Sequence, residues 1–300
     1  MMIEKRLVQW YAADVGVDLD VAEREIVLTY VLRILSDQGL LDRLVFKGGT
    51  AIRKLYLGGT GRFSLDLDFT AVGDVAPDAL ALELAGSLHG QTCYGLAFTV
   101  PSSDYYATED SCGAEVTYSH DWMTAGHFGI QISLRAQPLL PVVTTLLRRE
   151  RYFDWLEFAP PDVPALQMPE VIGEKIRAAA QRSRVRDLYD LYQFARQPYD
   201  RGVVRRVAVI KCWETRYALD PVAFLAGLPK SKYDWSDLSR LVRRDRLATP
   251  DEIIREVQRA YAFLGELTPE EAQLAADPYG REWQVYGRLA DGLKSSPTSL

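Results

Sequence analysis

Cysteine is scarce in this chain: Cys93, Cys112 and Cys212 are three among 300 residues, scattered and odd in number. They follow no zinc spacing and imply no disulfide framework, which fits a reducing cytoplasm. The three histidines, His89, His120 and His127, form no ligand spacing. No apolar run approaches the ~20 residues needed to span a bilayer. The first residues, Met1-Met2-Ile3-Glu4-Lys5-Arg6, lead into an amphipathic pattern and not a signal peptide, so no membrane association is expected. There is no internal repeat. A surplus of positive charge is also lacking, the formal net charge being −6, which argues against a protein that coats nucleic acid nonspecifically. One segment departs from that balance. From Lys175 to Lys211 there are ten Lys/Arg, offset by Asp187, Asp190 and Asp200 alone.

What remains is an ordinary globular composition, 48% hydrophobic and 25% charged, long enough for two domains. Helical periodicity covers 3–12 and 20–38; 44–46 is a short apolar strand; 50–57 looks helical and ends at Gly58-Gly59-Thr60-Gly61. A helix at 79–88 and strands at 96–100, 114–118 and 128–135 follow. Pro160-Pro161-Asp162-Val163-Pro164 reads as a linker. Beyond it strand signals nearly vanish, and helical patterns run over 169–181, 186–197, 202–214, 220–227, 236–245, 250–265 and 269–290. The expected fold class is α/β (α+β), with a mixed-sheet domain over 1–159 and a helical domain over 160–300.

Residues 62–70, Arg-Phe-Ser-Leu-Asp-Leu-Asp-Phe-Thr, alternate without a slip. Phe63, Leu65, Leu67 and Phe69 share one strand face; Ser64, Asp66, Asp68 and Thr70 share the other. Carboxylates two apart converge on one side, where they can hold divalent cations for displacement at phosphorus. Just upstream, Lys47-Gly48-Gly49-Thr50 forms a glycine turn into a helical pattern, which offers backbone N–H groups to phosphate. Each feature has a plainer explanation. Asp66 and Asp68 alone suit a solvated strand face, and paired glycines suit a turn that needs positive φ. Lys175 lies beside the apolar stripe Val171, Ile172, Ile176 and Ala179, where lysines usually face solvent. Asp187 suits a helix start. Tyr189 and Tyr192 are more often core residues than stacking platforms for a base.

Lys47-Gly48-Gly49-Thr50, Arg62 to Asp68, Glu174-Lys175 and Arg186-Asp187-Leu188-Tyr189-Asp190-Leu191 occur in that order. Their combination resembles the AbiEii family of nucleotidyltransferase-like toxins, including the mycobacterial MenT toxins. The resemblance implies a minimal polymerase-β-like nucleotidyltransferase domain followed by a helical C-terminal domain. It implies an NTP substrate, Mg²⁺, a cognate antitoxin, and transfer of nucleotides to the 3′-OH of tRNA with arrest of translation. Carried onto this chain, Gly48, Gly49, Thr50 and Ser64 would bind the nucleotide. Asp66 and Asp68 would bind metal and act in catalysis together with Lys175 and Asp187, while Arg182, Arg184 and Arg186 would hold RNA. One position departs from the pattern. Such enzymes often carry a third carboxylate on a neighbouring strand, and the inward position there is Gln131, a poorer Mg²⁺ ligand; either two acids suffice or another, such as Glu115, substitutes. The alternatives are a protein or small-molecule acceptor, or an inactive nucleotide-binding module.

Overall fold

The computed structural model of the chain describes residues 3–135 and 137–294. Within them one nine-stranded sheet is built from β1 (Leu44–Lys47), β2 (Leu67–Ala71), β3 (Thr92–Cys93), β4 (Leu96–Thr99), β5 (Tyr105–Ala107), β6 (Ser111–His120), β7 (Met123–Ser133), β8 (Val143–Leu146) and β9 (Asp162–Ala165). The order is β3-β4-β6-β7-β2-β1-β9-β8, with β5 added on β6. β2 runs parallel to β7 and β1 parallel to β9, while the other pairs are antiparallel, so the sheet is mixed as expected. The separation of Phe63, Leu67 and Phe69 from Asp66 and Asp68 holds, while Ser64 and Thr70 are also buried and Leu65 is half-buried. Phe63, Leu67 and Phe69 are fully buried, and Phe69 lies 5.2 Å from the Phe46 ring of β1. The ladder itself begins only at Leu67; residues 62–65 have no strand pairing and Asp66 lies at a bend.

The chain divides into two compact units, each woven from separate stretches. The first holds residues up to Gln137, Val142–Ala165 and Arg240–Arg246; the second holds Pro138–Pro141, Leu166–Ser239 and the chain from Leu247. The linker expected at 160–164 is therefore partly strand β9, inside the first unit. Its ladder to β1 is one residue pair long, Phe46 with Ala165, which leaves room for Pro164. The helix expected over 236–245 stops at Ser239. The next residues serve the first unit: the Leu241 carbonyl accepts the Phe63 N–H at 2.7 Å, and Arg246 donates to the Gly59 carbonyl at 3.1 Å.

The helix expected over 50–57 is one α-turn, Gly48–Ala51, that widens into π-helix over Ile52–Leu57. Side-chain chemistry explains why so wide a turn is held. Arg53 is 1% exposed, and its Nη1 donates to the carbonyls of Gly58 (3.2 Å) and Gly61 (2.9 Å). Its guanidinium lies 3.6 Å from the Phe63 ring centroid and pairs with Glu25 (3.5 Å) and Glu150 (3.3 Å). Lys54 Nζ donates to the carbonyl and Oε1 of Glu25 and to Thr29 Oγ1, each at 2.9 Å. Two cations thus meet two carboxylates in the interior. Burial pulls the Lys54 ammonium below its ordinary value, with Glu25 opposing, and pushes the Glu150 carboxyl up against the pull of Arg53.

The second unit is helical, with Met168–Gln181, Val185–Phe194, Arg201–Glu214, Pro221–Ala226, Pro250–Ala260, Pro269–Ala275 and Trp283–Lys294 as its longer helices. Gly173 lets two of them touch: a Cβ there would lie 2.4 Å from Val207 Cγ1. The fully buried Glu170 accepts the N–H groups of Leu139 and Leu140 and the Lys211 ammonium, all at 2.9 Å. The single helix expected over 269–290 is split around Gly280, whose φ is +64°. No described helix is long and apolar enough to cross a membrane.

Arg53→Met would strand the Gly58 and Gly61 carbonyls and leave Lys54 alone to balance Glu25 in the interior. The expected loss is about 3–5 kcal/mol in denaturant unfolding; a loss below about 1 kcal/mol would show that the network carries little of the fold.

Candidate active site

In the first unit, β1 delivers Lys47 opposite Asp68 of β2, and the chain then reverses at Gly48 with φ +76°. Both glycines are required by what lies against them. A Cβ on Gly48 would come within 2.1 Å of Asp68 Oδ2. One on Gly49 would lie 2.7 Å from both Arg62 Nη2 and Ser64 Oγ. The buried Thr50 completes the joint, its Oγ1 donating to the Asp66 carbonyl at 2.5 Å. Turn and carboxylate segment are therefore one interlocked piece, with Gly48, Gly49, Thr50, Ser64, Asp66 and Asp68 brought together. Thr50 acts here as a strut between the two, its hydroxyl directed to backbone.

Asp66 is exposed, and its Oδ1 accepts the Gly129 N–H of β7 at 3.1 Å. Asp68 is half-buried and stands in register with Gln131, the position where a third carboxylate was expected. Glu115 of β6 pairs with Gly129. A Cβ on Gly129 would meet Glu115 Oε1 at 3.1 Å and Asp66 Oδ1 at 3.5 Å, so both acids border the same bare strand position. Among the described residues no three His, Cys, Asp or Glu side chains are grouped to hold a metal. The donors nonetheless suit Mg²⁺, a hard ion that takes one or two carboxylates and completes its shell with water and substrate phosphate.

Arg62 was not singled out from the sequence. Its side chain is more than nine-tenths buried, directly over Gly49, and Nη1 donates to the Phe63 carbonyl at 3.1 Å. The signal was present: residues 62, 64, 66 and 68 share one strand parity.

The second unit gathers Lys175 and Asp187. Lys175 Nζ lies 2.8 Å from Asp187 Oδ1 and 2.9 Å from Asp190 Oδ2. Arg182 Nε reaches Asp187 Oδ2 at 2.8 Å. Burial alone would raise the Asp187 carboxyl; Lys175 and Arg182 outweigh it and hold the group well below the usual carboxylate range. The expected RNA arginines divide by role. Arg182 bonds Asp187, Arg186 clasps Asp237 through two contacts of 2.6 Å, and Arg184 is exposed as the N-cap of Val185–Phe194. Tyr189 and Tyr192 are buried, as the plainer explanation had it.

The family described as nucleotidyl transferase AbiEii toxin, type IV TA system, matches residues 30–278. Among solved structures, the chain is similar to MenT4, a nucleotidyltransferase toxin from Mycobacterium tuberculosis, with a TM-score of 0.85 and 26% identity over 98% of this chain and 100% of that one. No curated protein sequence matches.

Two outcomes are expected. Gly48→Ala would force a β-carbon into Asp68 and strain a positive φ, costing more than about 1 kcal/mol; a melting temperature equal to wild type would contradict the interlock. For Asp187 the folded carboxyl titrates below its unfolded value of about 3.9, so its contribution is complete above that pH and fades as pH falls toward the folded value. The stability gap between wild type and Asp187→Asn should therefore be large at neutral pH and shrink below about pH 4. A gap that stays constant to about pH 2 would remove the ion pair as its source.

Proposed function

The chain belongs to the AbiEii nucleotidyl transferase toxin family, and on that premise we propose that it transfers NMP from an NTP to the 3′-OH of tRNA in the cytoplasm, blocking translation, under control of a cognate antitoxin. The observation that carries the reading is the close fit of Asp68 against Gly48, which sets a carboxylate directly on the glycine turn.

Asp66 and Asp68 would hold Mg²⁺, which when bound neutralises triphosphate charge and lowers the pKa of the attacking hydroxyl. Backbone N–H groups of Gly48 and Gly49 receive phosphate oxygens, and Ser64 Oγ donates a further hydrogen bond. The 3′ hydroxyl releases its proton to solvent as its oxygen bonds to the α-phosphorus, the bond from that phosphorus to the bridging oxygen breaks, and pyrophosphate leaves. Lys175, fixed by Asp187 and Asp190, supplies a point charge for the phosphates. Of the segment from Lys175 to Lys211, the exposed Arg184 would attract the RNA backbone, most of the other cations there being paired with carboxylates. Gln131 beside Asp68 favours a second reading, a nucleotide-binding module without transferase activity.

Incubation with total RNA and each α-labelled NTP, with and without Mg²⁺, separates these. Label is expected in tRNA with Mg²⁺ only, and Asp66→Ala and Asp68→Ala should each lower it at least about a hundredfold with the fold unchanged by circular dichroism. Label in protein would redirect the acceptor. NTP binding without labelling would support the module.

A further inference from the structure

The turn between the helices Pro269–Ala275 and Trp283–Lys294 carries a construction that the transferase chemistry does not use. Asp277 gathers four donors: the N–H groups of Tyr279 (3.2 Å), Arg281 (2.6 Å) and Glu282 (2.9 Å), and the Trp213 indole (2.8 Å). Although desolvation opposes them, these bonds hold its carboxyl at about 2. Arg216, just past the end of Arg201–Glu214, has φ +57°, a left-handed conformation usually left to glycine at a helix end. Its Nη1 donates to the Tyr279 carbonyl at 2.8 Å. Gly280 makes this possible: a Cβ there would lie 0.8 Å from that nitrogen. An arginine occupies the backbone that suits glycine, and a glycine yields the space that the arginine fills.

The braced turn displays aromatic rings. Tyr279 is 72% exposed and Trp283 59% exposed. Trp283 stands edge-on to the buried Trp213 at 4.7 Å, and the Arg281 guanidinium lies 5.0 Å from the Tyr279 ring centroid. These two rings are among the exposed large apolar side chains of the described residues. The nearby acids are already engaged: Asp277 by its four donors, Glu282 by Gln273 at 2.8 Å, and Glu214 by Tyr286 at 3.1 Å. The exposed cations Arg216 and Arg281 flank the rings. Rigid π-faces beside guanidinium groups suit stacked bases and phosphodiester charge. Most of this turn lies just past residue 278, where the family match ends.

We infer that Tyr279 and Trp283, framed by Arg216 and Arg281, form a stacking platform for unpaired nucleotides of the RNA acceptor. This rests on the reading of the acceptor as RNA. The platform adds affinity and takes no part in phosphoryl transfer.

The test uses the full chain at one salt concentration, since phosphate contacts make affinity salt-dependent. Binding of deacylated tRNA and of an unstructured labelled oligoribonucleotide is compared for wild type, Tyr279→Ser, Trp283→Ser and Trp283→Phe, with NTP binding measured alongside. Both serine variants should bind each RNA about tenfold more weakly, Trp283→Phe should recover most of the loss, and NTP affinity should not change. Equal RNA affinity in wild type and serine variants overturns the platform while leaving RNA as the acceptor. If wild type binds neither RNA, the acceptor reading itself falls, and the platform with it. Serine variants that keep RNA affinity but lose association with a protein partner would reassign the surface to protein docking and overturn the inference.

Discussion

The Oδ2 of Asp68 lies where a methyl group on residue 48 would have to be, and this contact governs the geometry around it. Because residue 48 has no side chain, the reversal after β1 can close against β2 and keep Lys47 in register with Asp68. Because residue 49 has none either, Arg62 and Ser64 reach the same turn. The Thr50 hydroxyl then ties the far side to the Asp66 carbonyl. The glycine turn and the carboxylate pair are thereby fixed by one set of contacts, so neither can shift without the other. Such preorganisation is what electrostatic catalysis at phosphorus requires.

Behind that joint, the interior is unusually polar. Arg53 ties down the carbonyls that follow the π-helix, and Lys54 fastens the same segment to Glu25 and Thr29. Buried ion pairs are a poor source of net stability, but they penalise any other arrangement severely, because a shifted chain would leave a charge alone. Here they hold a widened helical turn that ordinary α-helix formation would close. The second unit uses the same device at Asp187, where two cations overcome the cost of burial, and at Glu170, where one carboxylate binds two backbone N–H groups and a lysine.

Much of this was legible in the chain itself. The period-two alternation of 62–70 correctly separated Phe63, Leu67 and Phe69 from Asp66 and Asp68, because side-chain direction in extended backbone is fixed by parity. The order of glycine turn, paired acids, lysine and Arg-Asp run identified the family. Other features depended on contacts far apart in sequence. Nothing near residue 53 announces that its helix will widen, since the cause lies at Glu25, Glu150 and Gly61. The proline cluster at 160–164 looked like a linker because strand β9 is defined by its neighbours and not by its composition. Arg182 and Arg186 were expected to hold RNA, and the structure gives them Asp187 and Asp237 as partners. The run at 236–245 looked helical, yet the Leu241 carbonyl is taken by Phe63.

The interleaved path of the chain has a bearing on how such a protein can be assembled or divided. Residues 240–246 return to the sheet-bearing unit after more than seventy residues spent in the helical one, and 138–141 make the opposite excursion. No single scission of the polypeptide releases either unit whole. Separate expression of halves, or evolutionary exchange of one half by simple end-to-end recombination, would leave each fragment missing a stitch that only the other carries. Synthesis has the same constraint: the sheet-bearing unit lacks residues 240–246 until residues 166–239 of the helical unit have been made.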